Sequence, residues 1–146
     1  MSKGNTFEND LLLLIFNNTN AANIGDATGL RGSSTAGSLY LSLHTGDPGE
    51  AGNQTTSECA YTSYARVAVA RSGAGWTISG SNVSNAAASN FPAATGGSNT
   101  ITHFGIGSDV SGIGNLFFYG ALGASRVISS GITPTIAIGE LDVNLD

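Results

Sequence analysis

The chain has 146 residues, enough for one domain with a core of its own. Charged residues make up only 10% of it, against a usual share of roughly 25%. The formal net charge is −5 with five cationic residues, so the basic footprint that holds a nucleic-acid backbone is missing. We therefore expect no direct binding to nucleic acid.

The single Cys59 cannot close a disulfide within the chain, and we expect it to be a small buried residue rather than a reactive thiol. The apolar run at residues 11–16 is too short for a bilayer, which takes about 20 residues. It follows Glu8 and Asp10, where an export signal would carry positive charge. The sequence predicts folding in a reducing cytoplasm, without a membrane segment.

The first element in chain order is a short helix within NTFENDLLLLIFNN. Asn5 or Thr6 is the expected N-cap, and Glu8 would complete a capping box with Asn5. The next stretch, residues 20–38, is rich in Asn, Gly, Ser and Thr and is expected to be a loop or an extended arm. The helix residues expected to face a core are Leu11, Leu12, Ile15 and Phe16.

From Ser38 the apolar period changes to two, which is typical of strands. In SLYLSLHT the residues Leu39, Leu41 and Leu43 share one face, as in a half-buried strand. Further β-prone runs are YARVAVAR, WTIS, SNAAASNF, TITHFGIG, LFFYGAL, SRVIS, TIAIG and ELDVNLD.

About eight or nine short strands separated by Gly, Asn and Pro favour an all-β fold, either a jelly-roll-like β-sandwich or a small barrel. A short N-terminal helix or arm would precede it. We expect residues 1–37 to form that helix and arm, and residues 38–146 to form a β-sandwich domain that is a single structural unit.

The best candidate for chemistry is HTGDPGE, where His44, Asp47 and Glu50 lie close together and Glu58 follows. A histidine with carboxylates suits metal binding or acid–base catalysis. The same letters also fit a tight turn, because Pro48 fixes its own φ and the flanking glycines permit left-handed backbone. We predict the turn.

The other motifs do not indicate a functional site either. The histidines and Cys59 lack metal-ligand spacing, no nucleophile elbow is present, and the glycine-rich residues 107–115 lack the lysine of a phosphate-binding loop. We expect no catalytic, cofactor or metal site. A sugar-binding platform from Trp76 or Tyr119 is a minor alternative. A weakly charged surface rich in Ser, Thr, Gly and Asn favours protein–protein contact.

Several segments together resemble a known family. They are LYLSLHTGDPGEAG, QTTSECAYTSYARVAVARSGAGW, VSNAAASNFPAATGG, THFGIG, LFFYGAL and AIGELDV. They are similar to a family of small structural proteins of tailed bacteriophages, often labelled tail fibre proteins. The resemblance implies a non-enzymatic virion component that folds in the host cytoplasm.

The resemblance leaves the place in the particle open. We favour a capsid decoration, or cement, protein that binds the assembled head and stabilises it, with the major capsid protein as partner and a homotrimer as the favoured state. The alternative is a tail fibre or tail-tip protein that contacts tail proteins and takes part in host attachment. A carbohydrate-binding phage module is a more distant alternative.

Interaction residues are expected in two places. The helix and the loop after it would contact the shell or a neighbouring subunit, and the loop at residues 46–56 would project outward or meet a sister subunit. The residues concerned are Phe7, Leu11, Leu12, Leu14, Ile15, Phe16, Leu30 and Arg31 in the first place, and Asp47 and Glu50 in the second.

Overall fold

A computed structural model describes residues 3–22, 24–25 and 29–145. Within them the chain has one helix, α1 (Asn5–Asn17), and is otherwise built of strands, which confirms the predicted all-β fold with a short N-terminal helix. The strands are β1 (Ser38–His44), β2 (Val67–Ala70), β3 (Trp76–Ser79), β4 (Asn82–Asn85), β5 (Ser89–Asn90), β6 (Ser98–Gly107), β7 (Leu116–Ser129), β8 (Thr135–Ile136) and β9 (Asp142–Asn144).

The described strands form three open sheets. The largest has the order β2-β1-β6-β7, the second β3-β4-β9, and the third pairs β5 with β8. The pairings of β1 with β6, β6 with β7, β3 with β4 and β4 with β9 are antiparallel. None of the three sheets closes into a barrel. The small barrel, which the sequence left open as an alternative to a sandwich, is therefore not found in the described residues.

The chain divides into two compact units that alternate along the sequence. We call the first the helix unit, which comprises Met1–Ser38, Val69–Ser89 and Ile136–Asp146. The second, the sheet unit, comprises Leu39–Ala68 and Asn90–Thr135.

The helix unit has a core of large apolar side chains. Leu12 and Phe16 of α1 are fully buried, as are Trp76 of β3 and Val83 of β4. The rings of Phe16 and Trp76 meet edge to face, with centroids 4.8 Å apart, a favourable arrangement for aromatic pairs. The helix therefore packs on β3 and β4 through one narrow apolar stripe.

The two ends of α1 differ in how their backbone groups are satisfied. Gly4 is the N-cap, and no side chain caps the helix there, so the predicted cap by Asn5 or Thr6 is wrong. The C-terminal end is capped by Arg71, whose Nη2 and Nε donate to the carbonyls of Leu14 and Ile15 at 2.7 Å each. A guanidinium suits this end because the last carbonyls lack helical partners and carry negative partial charge.

Asparagine side chains hold the loop that follows α1. Asn18 accepts the N–H of Ser33 at 2.7 Å and donates to the Ser33 carbonyl at 2.8 Å. Asn20 accepts the N–H of Gly32 at 2.9 Å. Side-chain amides thus bind the backbone of Gly32 and Ser33, in addition to the backbone bridge between Ala21 and Leu30.

The sheet unit has its core on the leucine face of β1. Leu39, Leu41 and Leu43 are buried as predicted, and Ile101 and Ile106 of β6 are buried with them. The prediction of a half-buried strand is wrong at the C-terminal end of β1, where Ser42 and His44 on the other face are also fully buried. Both polar side chains must therefore find partners inside the protein.

Strand β7 unites two predicted strands, LFFYGAL and SRVIS, into one of 14 residues. Its pairing with β6 is interrupted, because Ile101 faces Arg126 whereas His103 faces Ala121. Residues 122–125 therefore bulge out of the ladder, and the last three of them, Gly123, Ala124 and Ser125, have small side chains that ease the irregular backbone path.

Candidate functional site

The segment HTGDPGE is a turn. The Asp47 carboxylate accepts the N–H of Gly49 at 2.8 Å, and Gly49 adopts φ +68°, which glycine tolerates without strain. Asp47 and Glu50 are exposed, whereas His44 is buried. The turn thus separates the histidine from these carboxylates instead of gathering them into a catalytic group.

His44 is held as one neutral tautomer. Its Nδ1 lies 2.8 Å from the carbonyl oxygen of Thr56, which can only accept, so Nδ1 carries the proton. Its Nε2 then accepts from the Ser42 hydroxyl at 2.8 Å. Desolvation by burial lowers the pKa of His44, although the Thr56 carbonyl and the charge of Glu58 oppose this. The ring is a buried structural group.

Gly105 makes room for this ring. A Cβ at residue 105 would lie 2.6 Å from Ser42 Oγ and 2.7 Å from His44 Nε2. Those distances are too short for unstrained contact, so the glycine in THFGIG serves the close approach of β6 to the buried pair.

A buried ion pair lies beyond the turn. Arg66 Nε donates to Glu58 Oε1 at 2.7 Å and Arg66 Nη2 donates to Glu58 Oε2 at 2.8 Å, which is a bidentate pair. The side chain of Arg66 is only 2% exposed. The Tyr64 hydroxyl donates a hydrogen bond to Glu58 Oε1 at 3.0 Å. The oxygen of the same Tyr64 hydroxyl accepts the N–H of Leu43.

The same guanidinium holds a distant loop. Its Nη1 donates to the carbonyl of Asp109 at 2.8 Å, and its Nη2 donates to that of Gly112 at 2.7 Å. Gln54, fully buried, accepts the N–H of Asp109 at 2.9 Å. Two side chains therefore pin the hairpin loop between β6 and β7, residues 108–115, to the segment around residues 54–66.

The network around Arg66 was not predicted from the sequence. Arg66 lies next to the β-prone run VAVA, and Glu58 lies in a polar loop, so nothing in their spacing marks them as partners. The available signal was that only five residues of the chain are cationic, so each of them was a candidate for an internal ion pair. The other histidine, His103, forms a hydrogen bond with its neighbour in the chain, with Nδ1 2.8 Å from the Thr102 hydroxyl oxygen.

No group of three potential metal ligands gathers in the ranges that the structure covers. Cys59 is 3% exposed, its Sγ lies 3.2 Å from Asn99 Oδ1, and burial raises the pKa of its thiol. A raised thiol pKa leaves little thiolate at neutral pH, which makes Cys59 a poor nucleophile.

The expected interaction residues of the helix unit fall into two groups. Leu12 and Phe16 belong to its core. Phe7 and Leu30 are each 40% exposed, Arg31 is exposed, and Leu11, Leu14 and Ile15 are partly exposed. The second group is thus available for contact, and its role stays a prediction.

The sheet unit exposes apolar side chains that the sequence did not single out as contact residues. Val110 and Ile113 in the hairpin loop are 60% and 70% exposed, and Phe117, Tyr119 and Val127 along β7 are exposed as well. In β7 the odd-numbered residues from 117 to 123 face solvent. These exposed apolar side chains are candidates for contact with another protein.

A family model described as Podophage GP4 fiber I protein gp80 matches residues 3–144, and the chain belongs to this family. The resemblance to phage tail fibre proteins is thereby confirmed, and the chain is a structural protein of a phage virion.

No curated protein matches the chain. None of the helices in the described part of the chain combines the length and apolar character that crossing a membrane takes.

Proposed function

We propose that this protein is a fibre component of the tail of a bacteriophage, where it takes part in host attachment without catalysing a reaction. The observation that carries the proposal is the match to a family described as a fiber protein over residues 3–144. A match of that extent covers both units, so the whole chain and not one segment supports the assignment. The decoration role expected from the sequence has less support, because the family description names a fiber.

The design of the fold suits such a role. A fibre component must keep its shape outside the cell while its surface contacts other proteins. The Arg66 network stiffens the sheet unit from within, and Arg71 fixes the end of α1 in the helix unit. Rigid supports of this kind reduce the conformational entropy that a contact surface loses on binding.

We assign contact with other virion proteins to the exposed part of α1 and the loop after it. Phe7 and Leu30 supply the apolar surface, with Leu11, Leu14 and Ile15 beside them. Asp47 and Glu50 lie on an exposed turn and are assigned to a second contact. The chain is made in the host cytoplasm and assembles there.

Copy number in purified virions tests the placement. Mass spectrometry with isotope-labelled peptides would measure copies of this chain relative to the major shell protein. A tail fibre component is expected at on the order of tens of copies, set by the symmetry of the tail. A number that approaches that of the shell protein would overturn the tail assignment in favour of capsid decoration.

The contact assignment has its own test. A phage that carries Phe7→Ser together with Leu30→Ser is expected to incorporate the chain less well, because both changes remove exposed apolar contact area. Ile132→Ser is the matched control, since Ile132 is 44% exposed in the sheet unit. Equal incorporation of both variants would overturn the assignment.

A further inference from the structure

The ring of His44 lies where a positive charge is poorly accommodated. It is fully buried, and its two nitrogens are satisfied in the neutral form by the Thr56 carbonyl and the Ser42 hydroxyl, each at 2.8 Å. Its Nε2 lies so close to β6 that a Cβ at Gly105 would be 2.7 Å away. A buried cation needs water or a counter-ion to be stable, and the backbone of β6 covers this nitrogen.

The charged and titratable groups around the ring do not supply a counter-ion. They are Glu58, Arg66 and His103. Both oxygens of Glu58 are bound by Arg66, at 2.7 and 2.8 Å, so its charge is already neutralised. The charge of Arg66, and that of His103 when it is protonated, oppose a charge on His44. Protonation of the ring is therefore favoured only where the ring meets solvent.

The movable cover of the ring is residues 45–57, which we call the turn segment. Ser42 and Gly105 belong to the paired strands β1 and β6, whereas Thr56 lies in a loop. Thr56 closes a compact turn with Asn53, because its N–H donates to the Asn53 carbonyl at 3.1 Å and its hydroxyl accepts the Asn53 N–H at 3.0 Å. Displacing this turn requires less disruption than separating two strands.

The same turn holds the hairpin loop, residues 108–115. Within it, Gln54 donates its backbone N–H to the carbonyl of Ile113 at 3.0 Å, and its Oε1 accepts the N–H of Asp109 at 2.9 Å. Displacement of Thr56 displaces Gln54, two residues away, and removes both hydrogen bonds. Arg66 still binds carbonyls of the loop, so the loop is loosened but stays attached.

We infer that the turn segment is an acid-operated latch: protonation of His44 displaces the segment from the sheet and loosens the hairpin loop that carries the exposed Val110 and Ile113. The proton comes from solvent and binds Nε2, the nitrogen that accepts from Ser42 when the latch is closed. A looser loop loses more conformational entropy on binding, so acid weakens any contact made through these two side chains. The latch depends on the fold alone and holds for either position of the chain in the virion.

Amide hydrogen exchange, resolved by NMR on the full chain at about pH 7 and about pH 5, tests the latch. The rates are corrected for the intrinsic effect of pH on exchange. The amides of Gln54 and Asp109 should then lose protection by up to about 30-fold at the lower pH. That factor is the ratio of charged to neutral histidine in the open segment, at an ordinary pKa of about 6.5. Unchanged protection would overturn the inference.

Urea separates opening of the segment from unfolding of the whole unit. Displacing a short segment exposes little surface, so the acid-dependent exchange of Gln54 and Asp109 should change little at low concentrations of urea. The amides that pair β6 with β7 need a larger opening and should keep higher protection with a steeper dependence on urea. Equal protection and equal urea dependence at both places would overturn the inference, because unfolding of the sheet unit would then explain the acid effect.

Two variants test the role of the ring. His44→Gln removes the titrating group and should abolish the acid dependence at Gln54 and Asp109. Glu50→Gln, at an exposed residue of the turn segment, is the matched control and should retain it. An acid dependence that persists in folded His44→Gln would overturn the latch.

Nitrogen NMR of the wild-type ring gives a reading that needs no variant. At about pH 5 the closed protein should show His44 as the neutral tautomer with its proton on Nδ1. A charged His44 in a protein whose Gln54 amide is still protected would overturn the latch, because the fold would then tolerate the charge.

Discussion

Arg66 and Glu58 form a bidentate ion pair inside the sheet unit, with the two N–O distances at 2.7 and 2.8 Å. The remaining donors of the guanidinium bind backbone carbonyls of Asp109 and Gly112. One side chain thus neutralises a half-buried carboxylate and fixes a hairpin loop far away in sequence. This arrangement explains how a chain with few charges uses one cation for two structural tasks.

Arg66→Leu should be strongly destabilising. It leaves Glu58 without its counter-ion and releases two carbonyls, and loss of one partner of a buried pair costs about 3–5 kcal/mol. Urea denaturation of the purified protein measures the change in the free energy of unfolding. Arg126→Leu is the control, because Arg126 is exposed and should change that free energy by no more than about 0.5 kcal/mol. Equal costs for the two variants would contradict the account.

Tyr64→Phe should destabilise the sheet unit by about 1–3 kcal/mol, because the buried N–H of Leu43 loses its acceptor. Glu58 loses a donor at the same time. Burial raises the pKa of Tyr64 far above that of an ordinary tyrosine, so the hydroxyl remains protonated and able to donate. Tyr119→Phe, at an exposed residue, is the matched control in the same denaturation experiment. A neutral Tyr64→Phe would show that the hydroxyl is not needed.

Stability should fall in mild acid through His44. Its pKa is lowered in the folded state, so below the unfolded value of about 6.5 the unfolded chain takes up a proton that folded His44 does not. This contribution is fully present above about pH 6.5 and is lost as the pH falls towards the folded pKa. Glu58, Arg66 and His103 are the charged and titratable groups that act on the ring.

His44→Gln should therefore flatten the dependence of the unfolding free energy on pH between about pH 7 and 5. An unchanged slope in His44→Gln would mean that other groups carry the acid sensitivity.

Arg71→Leu should loosen the C-terminal end of α1. The variant removes hydrogen bonds to the carbonyls of Leu14, Ile15 and Ala36, each worth about 1.5–3 kcal/mol when the donor is charged. Hydrogen exchange should show faster exchange in the last turn of α1 and little change in the sheet unit. Arg71→Lys should recover only part of the protection, because an ammonium cannot reproduce the planar fork. Full recovery would contradict the proposed geometry.

Much of the fold could be predicted from local pattern. The alternation of Leu39, Leu41 and Leu43 predicted β1, and the cluster of Gly, Asp and Pro predicted its turn. The polar core of the sheet unit could not be predicted, because the contact of Arg66 with Asp109 joins segments 43 residues apart. Such pairing depends on topology, which leaves no periodic trace.

The candidate surface was only partly predictable. The helix was expected to offer apolar contacts, but Leu12 and Phe16 lie in the core of the helix unit, because a short helix must pack some apolar face to be stable. The run LFFYGAL was predicted only as a strand, and nothing in it marked Phe117 and Tyr119 as exposed. Whether a strand lies at the centre or the edge of a sheet is set by the order of strands, which the local sequence does not encode.

The central claim is that the chain belongs to the tail of the particle. Gold-labelled antibodies against the chain, applied to intact virions and viewed by electron microscopy, test this most directly, with virions that lack the chain as the control. The account predicts gold confined to the fibres at the tail. Gold spread evenly over the head, with the tail unlabelled, would contradict it.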